Sequence, residues 1–427
     1  MASSDTPPAL AEAVDVAPVW AGHPVGLCLY THGERQFVAY YDAERRMTVA
    51  VRSLGETDWH TVVLPESVVW DSHNYITMAV DDRGFIHLSG NMHVVPLVYF
   101  RTTKPLDVDT FERAPMVGEH EDRMTYPVFM RGTDNELIFT YRDGHSGNGD
   151  QIYNVYDLET QTWRRLLDQP LTSGQGKMNA YLHGPVRGPD GNWHLCWVWR
   201  NHGGCETNHD LSYARSADLI HWQTGAGTPL TLPITLENAD VVDPVPVKGG
   251  MINGNARLGF DSQRRPVISY HKYDDAGNTQ IYNARLEDGA WRVYQTTDWD
   301  YRWDFSGGGS IVFEVGLSGV SVHGDGTLKQ SYHNPKDGSA NWLLDEDTLK
   351  PVRKLQLPPG YPSELSKVTS DFPGMHIRRA GDRGRCEEPG AWYVLQWETL
   401  RQNRDHPREG SLPPPFMLKV YKLRRAG

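Results

Sequence analysis

The sequence predicts an all-β protein, a single seven-bladed β-propeller of four-stranded antiparallel blades. A strand–turn–strand unit recurs along the chain, and helical periodicity is almost absent outside the short run ALAEAV. The composition agrees, with Trp 14, Tyr 20, Phe 11 and Gly 41 among 427 residues. Aromatic residues favour strands and glycine favours tight turns, so this balance is typical of many short strands joined closely.

The repeat is marked by a polar turn that joins two strands of alternating character. The seven turns begin at His32, Asp81, Gly132, Gly188, Asp261, His323 and Glu387. Four-stranded units at this period are typical of propeller blades, because each sheet buries its faces only against its neighbours. We therefore assign residues 21–427 to one propeller and residues 1–20 to an N-terminal extension. A pair of β-sandwiches is the alternative.

The charge and cysteine content exclude several functions. The formal net charge of −12 predicts no general attraction to nucleic acid or to an anionic membrane. The four cysteines, Cys28, Cys196, Cys205 and Cys386, are too scattered for a disulfide framework.

The opening residues lack a basic region followed by an apolar one, and no stretch approaches the length of a membrane span. We expect a cytoplasmic monomer, or a secreted or periplasmic protein whose leader has been removed.

Two pairs of polar residues are placed symmetrically about adjacent turns. His73 and His93 each lie ten residues from the centre of the turn DDRG, and Tyr126 and Arg142 each lie eight residues from the centre of GTDN. Residues equidistant from a hairpin centre face each other across the two strands unless a bulge intervenes. We therefore expect both pairs to converge on one face of the disc.

These residue types can cleave a uronic-acid glycoside by β-elimination. Arg142 can hold the carboxylate with two hydrogen bonds and offset its charge. A neutral His can accept the C5 proton, while Tyr or His can return a proton to the departing oxygen. We predict proton transfer by His73 and Tyr126, whose roles as base and acid stay open, with His93 and Arg142 binding the carboxylate. The chemistry requires no cofactor.

Further polar residues stand at comparable positions in other units. They are predicted either to line substrate subsites or only to tie neighbouring blades together. These candidates are Asn74, His145, Tyr181, Arg200, Asn255 and Tyr273.

A loop with mixed His and Cys predicts a structural metal. His202, Cys205 and His209 form H-x-x-C-x-x-x-H, and His271 is the candidate fourth ligand. Cys and His at such spacing can bind zinc, although the match lacks a second Cys pair. Calcium is the alternative ion.

Several runs resemble the BNR-repeat propellers that include ulvan lyases and related rhamnose–glucuronate lyases. They are DSHNYITMAVDDRGFIHLSGNMH, MTYPVF, YRDGHSGNG, HLCWVWR, NHDLSYARSADLIHW and YHKYDDAGNTQIYNAR, between about Val69 and Arg285. The resemblance implies β-elimination next to a uronic acid, with a histidine pair, a tyrosine and an arginine at the positions of His73, His93, Tyr126 and Arg142. It also implies a structural metal without fixing its ligands.

The sequence therefore predicts a polysaccharide lyase that acts on an acidic poly- or oligosaccharide. The expected substrate is an ulvan-like rhamnose–uronate glycan containing glucuronate or iduronate, and the expected product has an unsaturated uronyl end. Two alternatives stay open. SADLIHW is a relative of the turns in propeller glycosidases, which need two carboxylates facing one cleft. A propeller that only binds carbohydrate is the other alternative.

Overall fold

The regular structure of the chain is almost entirely strand. The computed structural model describes residues 7–425. The helical segments in this part are three short 3-10 helices, at Val108–Thr110, Cys205–Thr207 and Ser363–Ser366. No helix in the described part of the chain is long and apolar enough to cross a membrane. The predicted all-β class is confirmed.

The strands form seven antiparallel sheets, which we number in chain order. Sheet 1 contains β2 (Cys28–His32), β3 (Arg35–Tyr41), β4 (Arg46–Ser53) and β5 (His60–Ser67). Sheet 2 contains β6 (Ile76–Val80), β7 (Ile86–Gly90), β9 (Tyr99–Thr102) and β10 (Phe111–Arg113). Sheet 3 contains β11 (Met124–Arg131), β12 (Leu137–His145), β13 (Asn148–Asp157), β14 (Thr162–Arg165) and the short β8 (His93–Val95).

The remaining sheets follow the same plan. Sheet 4 contains β15 (Asn179–Arg187), β16 (Trp193–Arg200), β17 (Asn208–Ser216), β18 (Trp222–Gln223) and β19 (Asp240–Asp243). Sheet 5 contains β20 (Arg257–Phe260), β21 (Pro266–Tyr273), β22 (Thr279–Glu287) and β23 (Ala290–Gln295). Sheet 6 contains β24 (Gly316–Leu317), β25 (Ser321–Val322), β26 (Leu328–Asn334), β27 (Gly338–Leu344) and β28 (Pro351–Leu355). Sheet 7 contains β29 (Met375–Gly381), β30 (Ala391–Leu400), β31 (Phe416–Arg424) and β1 (Ala9–Val19). Sheets 3, 4 and 6 thus carry a fifth short strand beyond the four expected.

The predicted turns lie between strands in all seven sheets. Their polar residues explain why the chain reverses there. Asp81 accepts hydrogen bonds from the backbone N–H groups of Arg83 and Phe85, both at 2.9 Å. Asp261 does the same for Gln263 and Arg265. A short side-chain acceptor that satisfies the turn's own backbone is the reason Asp favours such positions.

The first described strand corrects the predicted domain boundary. β1 pairs with β31 from Ala9 opposite Arg424 to Val19 opposite Phe416, as the edge strand of sheet 7. Residues 9–19 therefore belong to the sheet and not to an N-terminal extension, while residues 1–6 lie outside the described part. β31 supplies the backbone donors and acceptors that pair with these residues. Because β31 lies at the other end of the chain, the local sequence around β1 does not reveal this partner.

The first and seventh sheets are in contact. The backbone N–H of Arg383 donates to the carbonyl of Leu29 at 2.9 Å, and the carboxylate of Asp382 accepts from the N–H of Thr31 at 2.8 Å. One apolar cluster joins sheets 1, 2, 3 and 7, with Val38, Leu88, Phe139 and Leu395 among its fully buried members. The two ends of the chain are thereby packed into one core.

Candidate active site

A cavity of about 530 Å³ collects the polar residues that the sequence singled out in sheets 2 and 3. Its lining includes His73, His93, Tyr126 and Arg142, together with Tyr181 and Arg200 of sheet 4. The four residues predicted to converge therefore share one cavity. The way in which the chain brings them together differs from the prediction.

The histidine rings meet, but not across a hairpin. The ladder between β6 and β7 has the predicted centre, with Val80 opposite Ile86, and it ends at Ile76 opposite Gly90. His73 lies in the loop before β6, whereas His93 lies in β8, which pairs with sheet 3. The chain leaves sheet 2 at Asn91, whose φ of 57° is left-handed. The predicted cross-strand pair is therefore wrong, although the ring centroids lie 4.4 Å apart.

Asp71, which was not among the predicted site residues, joins the two histidines. The Nδ1 atoms of His73 and His93 lie 2.6 and 2.5 Å from its two carboxylate oxygens. Because a carboxylate accepts, each Nδ1 carries a proton, and this tautomer leaves Nε2 as the atom that can accept a proton. Burial raises the pKa of Asp71, but the hydrogen bonds from His73 and His93 outweigh it, so the pKa falls below its usual range. Asp71 is thus an ionised acceptor behind both rings.

A second carboxylate, Asp405, reaches the site from the loop between β30 and β31. It accepts from the N–H and hydroxyl of Ser72 at 3.0 and 2.9 Å, and from those of Ser310 at 2.7 and 2.8 Å. His23 Nε2 lies 3.0 Å away and His73 Nδ1 lies 3.5 Å away. Burial raises the pKa of Asp405, but the hydrogen bond with His23 and the other donors outweigh it and lower the pKa. No sequence signal links a residue so distant along the chain to this site.

Tyr126 lies in a β-bulge, which the predicted register did not contain. Thr125, not Tyr126, is opposite Arg142, and the register shifts between Thr125 and Val128. Tyr126 has a φ of 58°. A left-handed bulky residue costs about 1–3 kcal/mol and often marks a functional site. The bulge places the Tyr126 ring 5.6 Å from that of His73, and burial raises its pKa well above the usual value. Its hydroxyl is therefore protonated at neutral pH.

Arg142 is held with its charged end unsatisfied. The residue is 3% exposed, and its Nε donates to the carbonyl of Gly144 at 3.3 Å. Both terminal nitrogens are buried without a hydrogen-bond partner among the described residues. The guanidinium stacks between Tyr126 at 4.9 Å and Tyr181 at 5.3 Å. A planar cation in this state is ready to accept a carboxylate with two parallel hydrogen bonds.

Tyr181 and Arg200 extend the basic wall of the cavity. The Tyr181 hydroxyl lies 2.5 Å from the hydroxyl of Ser146 and accepts from Arg200 Nη1 at 3.3 Å. Burial raises the pKa of Tyr181, but the positive charges of Arg142 and Arg200 outweigh it and lower the pKa. Local positive charge at this cavity contrasts with the net charge of −12 for the whole chain.

The other four predicted subsite residues lie elsewhere. Asn74 is buried; its backbone carbonyl accepts from the hydroxyl of Tyr41 at 2.6 Å, and its side-chain Oδ1 has no hydrogen-bond partner among the described residues. His145 is exposed. The side chain of Asn255 donates to a carbonyl at 2.8 Å, and the hydroxyl of Tyr273 donates to another at 2.7 Å. The side-chain bonds of Asn255 and Tyr273 correspond to the alternative in which such residues tie the fold together.

The predicted zinc ligands do not form a metal site. His209 has Nδ1 2.7 Å from Asp210 and Nε2 2.8 Å from Asn201, so both nitrogens are engaged. Cys205 is buried in an apolar cluster. The His271 ring lies 5.4 Å from that of Trp303, and its nitrogens have no hydrogen-bond partner in the part of the chain that the structure describes. His202 Nδ1 accepts from the N–H of Gly204 at 3.1 Å.

Among the described residues, the cluster whose ligating atoms lie within 4.8 Å of one another is Asp71, His73 and His93. Its two Nδ1 atoms already donate to the carboxylate. The four predicted ligands do not fit a structural zinc or calcium ion.

Residues 35–299 match the profile of the BNR repeat-containing family. The chain belongs to this family. It is similar to the long isoform of ulvan lyase from Glaciecola sp. (strain KUL10), with 39% identity over 228 residues, 44% of this chain and 23% of that protein. It also matches the short isoform from Alteromonas sp. (strain LOR), with 22% identity over 362 residues, 69% of this chain and 68% of that protein.

The chain spans less than a quarter of the first long isoforms that it matches, 14% of one and 23% of the other. Among solved structures, the polysaccharide lyase Uly1 superposes with a TM-score of 0.61 at 14% identity, covering 97% of this chain and 99% of that one. An ulvan lyase bound to GlcA(1-4)Rha3S gives 0.58 at 15% identity, covering 97% and 96%. At such identity the likeness establishes the propeller-like fold of this BNR-repeat chain.

Proposed function

We propose that this protein is a polysaccharide lyase that cleaves the bond next to a uronic acid in a rhamnose–uronate polymer by β-elimination. The observation that carries the proposal is the joint placement, in one cavity, of a protonated Tyr126, the Asp71-linked histidines and an Arg142 whose terminal nitrogens have no partner among the described residues. The ulvan lyases among its relatives, and the structural neighbour bound to GlcA(1-4)Rha3S, support this substrate class.

Arg142 binds the carboxylate of the uronic acid in this mechanism. Its two unpartnered nitrogens form parallel hydrogen bonds with the two carboxylate oxygens. Negative charge spreads onto that carboxylate when the C5 proton leaves, so a cation held there stabilises the transition state more than the ground state.

His73 and Tyr126 carry out the two proton transfers of the reaction. Nε2 of His73 accepts the C5 proton, the C5–H electrons form the C4–C5 double bond, and the C4–O bond breaks. The departing oxygen takes a proton from the Tyr126 hydroxyl. Asp71 stabilises the imidazolium that results, and His93, linked to the same carboxylate, assists in binding the uronate. Water then returns the proton from His73 to Tyr126.

The cavity lacks what a glycosidase requires. Among the described residues that line it, none is Asp or Glu. Hydrolysis normally needs two carboxyl groups on either side of the scissile bond. The Asp in SADLIHW caps its own turn instead, because Asp218 accepts from the N–H groups of Ile220 and His221, both at 2.8 Å. These observations favour elimination over hydrolysis.

We also propose that the sheets close into a seven-bladed ring. Three observations support closure: the chain forms seven sheets, β1 completes the last of them, and that sheet contacts the first through Leu29 and Asp382. Closure removes the need to protect two sheet faces from water.

Incubation with ulvan and with other uronate polymers tests the activity. We expect ultraviolet absorbance from unsaturated uronyl ends to rise together with new reducing ends, and His73→Ala to abolish both. New reducing ends without that absorbance would show that the protein is a hydrolase and not a lyase. Binding of the polymer without any cleavage would replace it by a carbohydrate-binding propeller.

A further inference from the structure

A second cavity, of about 760 Å³, shares no lining residue with the candidate active site. It lies between the segment that follows β23 of sheet 5 and strands β26, β27 and β28 of sheet 6. Three aromatic residues line it, Trp299, Tyr332 and Trp342. Its volume is in the usual range for ligand sites, about 300–1,000 Å³.

The aromatic wall is rigid. Trp299 is fixed through its backbone by Gln280, whose side chain accepts from the N–H of Trp299 and donates to its carbonyl, both at 2.8 Å. Gln280 is fully buried. The ring of Tyr332 lies 5.8 Å from that of Trp299 and stacks on Trp342 at 5.7 Å. Side chains that are already ordered lose little conformational entropy when a ligand binds.

The polar lining suits the substituents of an acidic sugar. Lys350 and Lys354 are exposed, and the Lys354 ammonium lies 5.3 Å from the Trp342 ring centroid. By contrast, Lys336 is paired with Asp300. Two carboxylates, Asp298 and Asp337, also line the cavity. Asp337 lies in a turn that Asn334 holds by accepting from its N–H at 2.7 Å. The ammonium groups can bind carboxylate or sulfate, and the two carboxylates can accept from sugar hydroxyls.

We infer that this cavity is a second binding site for an acidic polysaccharide, separate from the catalytic cavity. Trp299 and Trp342 pack against the C–H faces of sugar rings, and Lys350 and Lys354 hold the anionic substituents. A chain bound at both cavities is held at a raised effective concentration near His73 and Arg142. The choice of ulvan as the polymer rests on the proposed function; the existence of the site does not.

Affinity electrophoresis in gels that contain ulvan measures this site without turnover, in full-length protein that carries His73→Ala. We expect added Trp299→Ala, or the pair Lys350→Ala and Lys354→Ala, to weaken binding of the polymer about tenfold. Lys367→Ala removes an equally exposed lysine elsewhere and is the matched control. With His73 intact, the same variants should retain kcat/KM on a uronate tetrasaccharide that binds at the catalytic cavity alone.

Polymer affinity within about twofold of the parent in both sets of variants, with unchanged melting temperatures, would overturn the inference. If the wild-type protein forms unsaturated ends in that case, the proposed function survives without the second site. If it forms none while Trp299→Ala still loses polymer binding, the second site survives and the lyase does not.

Discussion

Arg142 shows at the scale of one residue how a site can be built at the expense of stability. Its terminal nitrogens are buried and have no partner within residues 7–425, so the protein without a ligand carries the desolvation cost of a charge. The stacking of its guanidinium on Tyr126 and Tyr181 offsets part of that cost. Such an arrangement makes sense if a ligand supplies the missing anion.

Arg142→Met should therefore separate activity from stability. We expect the lyase rate to fall by about 10²-fold or more, because the developing charge on the uronate loses its partner. The free energy of unfolding should stay the same or rise by about 1 kcal/mol, because an apolar chain replaces an unpaired buried charge. Lyase assays and denaturant unfolding measure the two effects.

Arg165→Met is the matched control in the same sheet. The Arg165 guanidinium donates to the Tyr141 hydroxyl at 2.9 Å and to the Asn154 side chain at 2.5 Å, so this variant should lose stability and retain its KM. A marked loss of stability in Arg142→Met, as in the control, would show that Arg142 is structural.

Asp71→Asn tests the carboxylate that joins the histidines. An amide cannot accept strongly from both Nδ1–H groups, and it does not stabilise an imidazolium. We expect kcat to fall by about 10²–10⁴-fold at neutral pH with little change in KM. A raised KM with an unchanged kcat would instead make Asp71 a residue that only shapes the binding surface.

At the scale of secondary-structure elements, irregular segments place the reactive groups. The bulge at Tyr126, the excursion of His93 into β8 and the loop that carries Asp405 all depart from the regular ladders. Regular strands alternate their side chains and so cannot aim consecutive residues at one point. The sheets hold the site in place, and the irregular segments position its reactive side chains.

Asp405→Asn should show how much the negative charge of Asp405 contributes to the free energy of unfolding through the loop between β30 and β31. The lowered pKa of Asp405 means that its ionised form contributes stability above the ordinary aspartate pKa, about 4, and that this contribution is lost as the pH falls through the folded-state value. We expect the variant to be less stable by about 2 kcal/mol at pH 7. The deficit should shrink below about pH 4.

Unfolding measured between pH 7 and pH 3 reports this difference. A deficit that stays constant with pH would assign the effect to packing of the loop. Since the carboxylate also lies 3.5 Å from His73 Nδ1, kcat should fall together with stability at pH 7.

At the scale of the whole molecule, one buried and two partly buried histidines link the stability of the fold to pH. Burial lowers the pKa of His271 to about 4, and lowers those of His183 and His376 to about 4 as well. The unfolded chain therefore binds more protons than the folded chain between about pH 6.5 and pH 4. The free energy of unfolding must decrease as the pH falls through that range.

His271→Phe should remove one part of this acid sensitivity, because Phe fits beside Trp303 and Phe305 and does not titrate. Relative to wild type, we expect the variant to gain about 2 kcal/mol between pH 7.5 and pH 5. Denaturant unfolding at the two pH values measures the gain. If the variant instead lost stability equally at both pH values and also lost a bound zinc ion, His271 would be a metal ligand.

Local sequence was sufficient for much of the architecture. The strand pattern and the turns are set by neighbouring residues, as with Asp81 and the N–H groups of Arg83 and Phe85. The centre of the β6–β7 hairpin follows from the same local chemistry. The histidine pair, Tyr126 and Arg142 were also identifiable, because position relative to a turn determines which end of a sheet a residue occupies.

The sequence by itself determined the class of fold, the repeat and the four central residues of the candidate site. Tertiary structure decided the rest: β1 pairs in sheet 7, Asp71 and Asp405 contact the histidines, and the predicted zinc ligand His209 is bonded to Asp210 and Asn201. The physical reason is the range of the interactions. A turn is satisfied by atoms a few residues away, whereas the partner of an edge strand or of Ser72 lies at the other end of the chain.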